Sequence, residues 1–144
     1  MIIRRRPGRV LACAIALATL TLIAAPGRAA EDDSTFAVSI DSPSVKVGQR
    51  AAIVATISAR GAYRITESYR HRVQNLAAGD GGVQLPGKVV RGAVSDGRVV
   101  FRIEVLPTTA GAHTVVGVLR FSINDGQHLD IKALPFEATV TATE

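Results

Sequence analysis

The stretch RVVFRIEVLP, residues 98–107, alternates apolar and polar side chains with period two. Val99, Phe101, Ile103 and Val105 fall on one face, with Val100, Arg102 and Glu104 on the other. An extended strand converts that spacing into burial, because successive side chains of a strand point to opposite sides. Pro107 closes the run by removing a donor from the backbone ladder.

The same period recurs outward in both directions. TFAVSI (35–40) sets Phe36, Val38 and Ile40 on one face before Pro43 interrupts, and RAAIVATISA (50–59) does the same with Ile53, Ala55 and Ile57. SYRHRVQNL (68–76), HTVVGVLRFSI (113–123) and HLDIKALPFEATVTA (128–142) follow. AAGDGGVQLPGK (77–88), dense in glycine, reads as a loop with at most a short edge strand. No segment offers a helical period with caps. Seven or eight short strands with turn signals about every ten residues predict an all-β fold, an immunoglobulin-like antiparallel β-sandwich. With aromatics at 4% and no tryptophan, its core is built from Val, Ile, Leu and Ala around Phe36, Phe101, Phe121 and Phe136.

LRFSINDGQHLDI (119–131) reads as a hairpin whose tip carries short polar side chains. A three-residue loop, Asn124-Asp125-Gly126, pairs Phe121 with Leu129, Leu119 with Ile131 and Arg120 with Asp130, matching chemistry on both faces. It also places Gly126 where a left-handed residue is wanted. The apolar parity then moves to Leu134, Phe136, Ala138 and Val140, which predicts a bulge near Pro135.

The first 30 residues have the layout of a secretory signal: Arg4, Arg5, Arg6 and Arg9, an apolar run from Val10 to Ala25, then small residues. The run is shorter than the ~20 residues of a spanning helix, so it predicts export to the periplasm or beyond, with cleavage after Ala29 or Ala30. The domain division is then 1–30 for the signal peptide and 31–144 for one sandwich, with residues 31–34 a flexible polar start. Five of the 17 basic residues belong to the leader, and all 12 acidic ones follow it. The remaining chain is therefore balanced, which removes the electrostatic case for nucleic acid. The only cysteine, Cys13, lies in the leader, so the mature chain has no thiol for disulfide, redox or metal chemistry.

GAYRITESYRHRV (61–73), LPTTAGAHTVVGVLRFSIND (106–125) and LPFEATVTATE (134–144) together resemble the periplasmic N-terminal domain of the thiol:disulfide interchange reductase family. Gly61, Tyr63, Tyr69, Pro107, Ala110, Gly111 and Phe121 match its outline over roughly two thirds of the mature chain. The resemblance implies an immunoglobulin-like domain in the periplasm, with the Tyr63 to Tyr69 segment close to the hairpin tip. The family's redox cysteines are missing: Asn124 stands where the first would be, and His128, Leu129 and Asp130 lie near the second. A carboxamide and a carboxylate exchange no disulfides, so electron transfer does not carry over.

The rest of the chemistry is sparse. His71, His113 and His128 show no ligand spacing, though a sandwich could gather His71 and His128 into a weak metal site. Arg64, Arg70 and Arg72 with His71 form a local basic cluster, which reads as an anion site or as a solvated face balanced by Glu67. Ser122, His128 and Asp130 make a trio that strand alternation does not turn into a catalytic triad. The sequence thus predicts a non-catalytic domain without cofactor, not inserted in the membrane once its leader is removed. It acts by binding another cell-envelope protein through Tyr63, Tyr69, Asn124, Asp125 and His128. The competing expectation is a small periplasmic metal or ligand carrier.

Overall fold

The computed structural model describes residues 29–32 and 35–144. Its strands are β1 (Ala29–Asp32), β2 (Phe36–Asp41), β3 (Ser44–Lys46), β4 (Ala51–Ala59), β5 (Arg64–Ile65), β6 (Arg72–Ala78), β7 (Val83–Gln84), β8 (Val89–Arg91), β9 (Ala93–Ser95), β10 (Arg98–Pro107), β11 (Gly111–Asn124) and β12 (Leu129–Thr143). One sheet runs β1-β2-β4-β10-β7, with β9 also on β10; the other runs β3-β12-β11-β6-β8, with β5 on β11. The alternation in 98–107 does what it predicts: Val99, Phe101 and Ile103 are fully buried and Val105 nearly so. The four phenylalanines are buried as well.

The chain enters in one sheet and crosses to the other at Ser42 and Pro43. β2 pairs antiparallel with β4, whereas β3 pairs parallel with the end of β12. The Pro43 carbonyl accepts from the Thr141 amide at 3.0 Å, and Ser42 Oγ accepts from the Thr139 amide at 3.2 Å. A strand split between the two sheets as β2 and β3, its second half parallel to the last strand, gives the immunoglobulin-like topology independently of sequence. Six strands of six residues or more form the framework, and short edge pieces bring the described total to twelve rather than seven or eight. Those pieces are two to four residues long, too short to show a side-chain period, and the short edge strand allowed for in 77–88 is β7. At the β9–β10 turn, Asp96 (φ 51°) and Gly97 (φ 71°) form a two-residue loop with both residues left-handed.

The expected leader lies outside the described residues up to residue 28. Ala29 and Ala30 occupy the first rungs of β1, opposite Ile40 and Ser39, so cleavage at either would leave the Glu31–Val38 and Asp32–Ala37 rungs. Glu31 and Asp32 are therefore strand, not an unstructured start. The outer edge of β2 offers unpaired backbone groups that a polar segment satisfies as well as an apolar one.

The hairpin register is corrected. Asn124 pairs with Leu129, Ile123 with Asp130, Phe121 with Lys132 and Leu119 with Leu134, so the loop is the four residues Asp125–His128. Leu129 and Ile131 face solvent, while Asp130 and Lys132 take the inner-face parity and neutralise each other at 2.8 Å. The inner face opens to water at this end of the sandwich, which is why a charged pair is tolerated there. No bulge forms near Pro135, because the β11–β12 ladder is unbroken from Gly111–Ala142 to Asn124–Leu129. The irregularity lies on the other side of β11, where Asn75 and Leu76 oppose Gly117, with Asn75 left-handed at φ 56°. A Cβ on Gly117 would press on the Gln74 carbonyl at 3.0 Å, so glycine makes room for the bulge. Gly126 keeps its expected role with φ 92°. Gly126→Ala is expected to cost about 1 kcal/mol in chemical denaturation, entirely through backbone strain since the site is open.

The loop between β6 and β7 is latched to β11 by His113. Its Nδ1 donates to Asp80 Oδ2 at 2.7 Å and its Nε2 to the Thr109 carbonyl at 2.7 Å. Both partners only accept, so the ring carries both protons. The Asp80 hydrogen bond, seconded by that to Thr109, raises the His113 pKa above its ordinary 6.5. The stability that this contributes is fully present below about pH 6.5 and is lost as pH rises through the raised value. Asp80→Asn is expected to bring the His113 titration midpoint down, followed on its ring-proton NMR signal; an unmoved midpoint would contradict the latch.

Candidate functional site

The end of the sandwich where β4 and β11 finish and β10 begins holds the residues singled out above. Here the chain after β4 turns at Gly61, and β5 docks on β11 through the rungs Arg64–Asn124 and Ile65–Ile123. The expected closeness of the Tyr63 to Tyr69 segment to the hairpin tip is thus a backbone pairing.

Thr66, buried, holds that segment in place with five hydrogen bonds. Its amide donates to the Ser122 carbonyl at 3.0 Å. Its Oγ1 accepts from Ser122 Oγ and from Asn124 Nδ2, each at 3.0 Å. Its carbonyl accepts from the Tyr69 amide at 3.1 Å and from His71 Nε2 at 2.9 Å. Ser122 belongs to the outer face of its sheet yet is fully buried, because this turn covers it. The sequence pattern does not single out Thr66, because a polar residue opposite Ser122 and Asn124 cannot be recognised before the β5–β11 pairing is known.

A cleft of about 600 Å³ opens beside this turn, lined by Ala59, Tyr63 to Ser68, Val94, Gly97 and Asn124. Tyr63 packs on the core from one side. Arg64 and Glu67 are exposed on the cleft, giving both signs of charge next to an aromatic and a carboxamide.

The expected site residues divide in two. Tyr63 and Asn124 share the cleft. Tyr69 does not line it; its ring lies edge-on to His71, centroids 5.2 Å apart. Asp125 and His128 belong to the hairpin loop, where Asp125 Oδ1 accepts from the Gln127 amide at 2.9 Å and the His128 amide at 2.7 Å. Those two bonds hold its carboxyl down at about 2. Asn124 Oδ1 accepts from the Gly126 amide at 3.2 Å, so both ends of this carboxamide build structure.

The trio Ser122, His128 and Asp130 is not assembled. The Ser122 hydroxyl is spent on Thr66, His128 faces Asp125 at 3.4 Å, and Asp130 pairs with Lys132. His71 is buried with Nε2 committed to Thr66, which separates it chemically from the exposed His128. Among the described residues no three His, Cys, Asp or Glu side chains are grouped to hold a metal ion. Within the same bounds, no helix is long and apolar enough to cross a membrane.

The strand order and this end cleft define the class: an immunoglobulin-like antiparallel β-sandwich with a hydrogen-bonded end site. No protein-family model matches the chain, and no curated protein does. Solved structures that resemble it at low identity include the following three. AggA, the major subunit of aggregative adherence fimbriae type I from Escherichia coli, has a TM-score of 0.42 and 12% identity, covering 78% of this chain and 97% of that one. The GAE domain of GGA2p from Saccharomyces cerevisiae follows at 0.38 and 13%, covering 77% and 96%. The ASH/PapD-like domain of human CEP192 gives 0.34 and 12%, covering 88% and 96%. Likenesses this distant add nothing to the topology, which rests on the strand order itself.

Proposed function

We propose that the chain is an exported, non-catalytic β-sandwich that binds another protein of the cell envelope through the end cleft beside Thr66. The observation that carries this reading is the cleft's construction. A buried threonine, a buried serine and an asparagine fix its wall, while Tyr63, Arg64, Glu67 and Ser68 are left to meet a partner. A rigid sandwich presenting a short loop cluster at one end is the arrangement by which such folds recognise proteins. An aromatic flanked by polar groups on a pre-organised wall suits a protein surface better than a small apolar ligand. The basic, apolar and small-residue start of the chain supports export.

The experiment is capture of partners from envelope extract by the protein and by its Arg64→Glu, Glu67→Lys double variant. Both positions are exposed, so the variant keeps its fold. The expected result is a discrete partner retained by the parent and lost with the charge reversal. Equal capture by both would contradict the cleft as the binding surface.

A further inference from the structure

Three arginines from three strands stand side by side on the outer face of the second sheet. Arg72 is opposite Arg91 of β8 on one side and Arg120 of β11 on the other, with about 4.8 Å from strand to strand. Val73 and Leu119 are buried and Val90 packs on the core, so the arginines beside them all point outward. Like charges directly opposite destabilise an antiparallel pair, and here two such pairs share Arg72. Among the described residues no carboxylate forms an ion pair with any of the three. Glu67, which sequence proximity offers as a counter-charge, lines the other cleft, as does Arg64.

Part of Arg72 is used locally: Nε donates to Gln74 Oε1 at 2.9 Å and Nη1 to the Arg70 carbonyl at 3.3 Å. Arg120 Nε is buried without an acceptor. Beside the row lies a groove of about 220 Å³ lined by Arg70, His71, Arg72, Val89 and Arg91, room for several waters at about 30 Å³ each. His71 adds no charge to it. Its Nε2 proton goes to Thr66, Nδ1 is buried without a donor, and burial lowers its pKa.

We infer that this arginine row is a binding site for a tetrahedral oxyanion, the phosphate or sulfate group of an anionic ligand. Guanidinium forks match the oxygens of such a group in pairs and remain charged at every physiological pH. Three adjacent forks present more donors than the two oxygens of a carboxylate use well, whereas phosphate and sulfate offer three or four oxygens. A bound dianion also removes the repulsion that the empty row carries. The site is separate from the Thr66 cleft and does not rest on the reading of it.

The test follows the Nε–Hε NMR signals of Arg72, Arg91 and Arg120 during titration with sodium phosphate and sodium sulfate at constant ionic strength, with chloride as reference. Saturable shifts concentrated on these signals and Arg70 are expected. Arg72→Gln and, separately, Arg91→Gln should weaken binding about tenfold or more, while the anion-free thermal midpoint stays level or rises as repulsion is relieved. Phosphatidylglycerol vesicles, against phosphatidylcholine, tell the source of the group: co-sedimentation reversed by phosphate assigns it to a lipid surface, and no co-sedimentation to a soluble ligand. Shifts no larger than in chloride, or variants that bind phosphate as tightly as the parent, would overturn the inference.

Discussion

Phe121→Ala is expected to lower the unfolding free energy by about 3–5 kcal/mol. The side chain is fully buried, and its ring meets Phe36 edge-on at 5.1 Å and 70°. Phe36 belongs to the first sheet and Phe121 to the second, so this contact joins the two layers near the end that holds the cleft. Such an aromatic pair contributes about 0.5–1.5 kcal/mol beyond the area it buries. A domain of this size has about 5–15 kcal/mol in total, which makes the loss a large share of its stability. Urea denaturation with intrinsic tyrosine fluorescence measures it. A change below about 1 kcal/mol would mean that the two sheets are held together elsewhere.

Thr66→Val should cost about 1–3 kcal/mol although it preserves shape. The valine leaves Ser122 Oγ, fully buried, and Asn124 Nδ2 without their shared acceptor. The backbone bonds of residue 66 survive, so the loss falls on the side-chain oxygen alone. Thr66→Ser keeps that oxygen and should recover most of the stability, at the expense of one methyl group. Since the same oxygen ties β5 to the hairpin, the valine variant should also lose protection from amide exchange at Tyr69 and in β5. Full protection with normal stability would show that the turn is held by its backbone only.

The architecture was legible from period-two patterning because each long strand has one wholly buried face. Val99 to Val105 and Phe36 to Ile40 leave no other reading. The hairpin register was not legible, because pairing apolar with apolar residues gives the right register only where every apolar residue faces inward. Leu129 and Ile131 break that condition at the rim, where the Asp130–Lys132 pair takes the inner positions. Of the five residues singled out for binding, the structure brings Tyr63 and Asn124 together in the cleft, while Tyr69, Asp125 and His128 lie outside its lining. Thr66 and the arginines at 91 and 120 gave no signal, because what unites them is strand pairing between segments far apart in sequence. Positive charge spread over three strands looks like ordinary surface until the rungs are known.

The central claim, that the end cleft is where this domain meets its partner, is tested most directly by site-specific photo-crosslinking in the envelope. A benzoylphenylalanine replaces Ser68 on the cleft or, as a control, exposed Gln49 beside the turn at the opposite end. A discrete protein adduct is expected from position 68, disappearing with Arg64→Glu and Glu67→Lys, and none from position 49. No adduct at 68, or the same adduct from both positions, would contradict the claim.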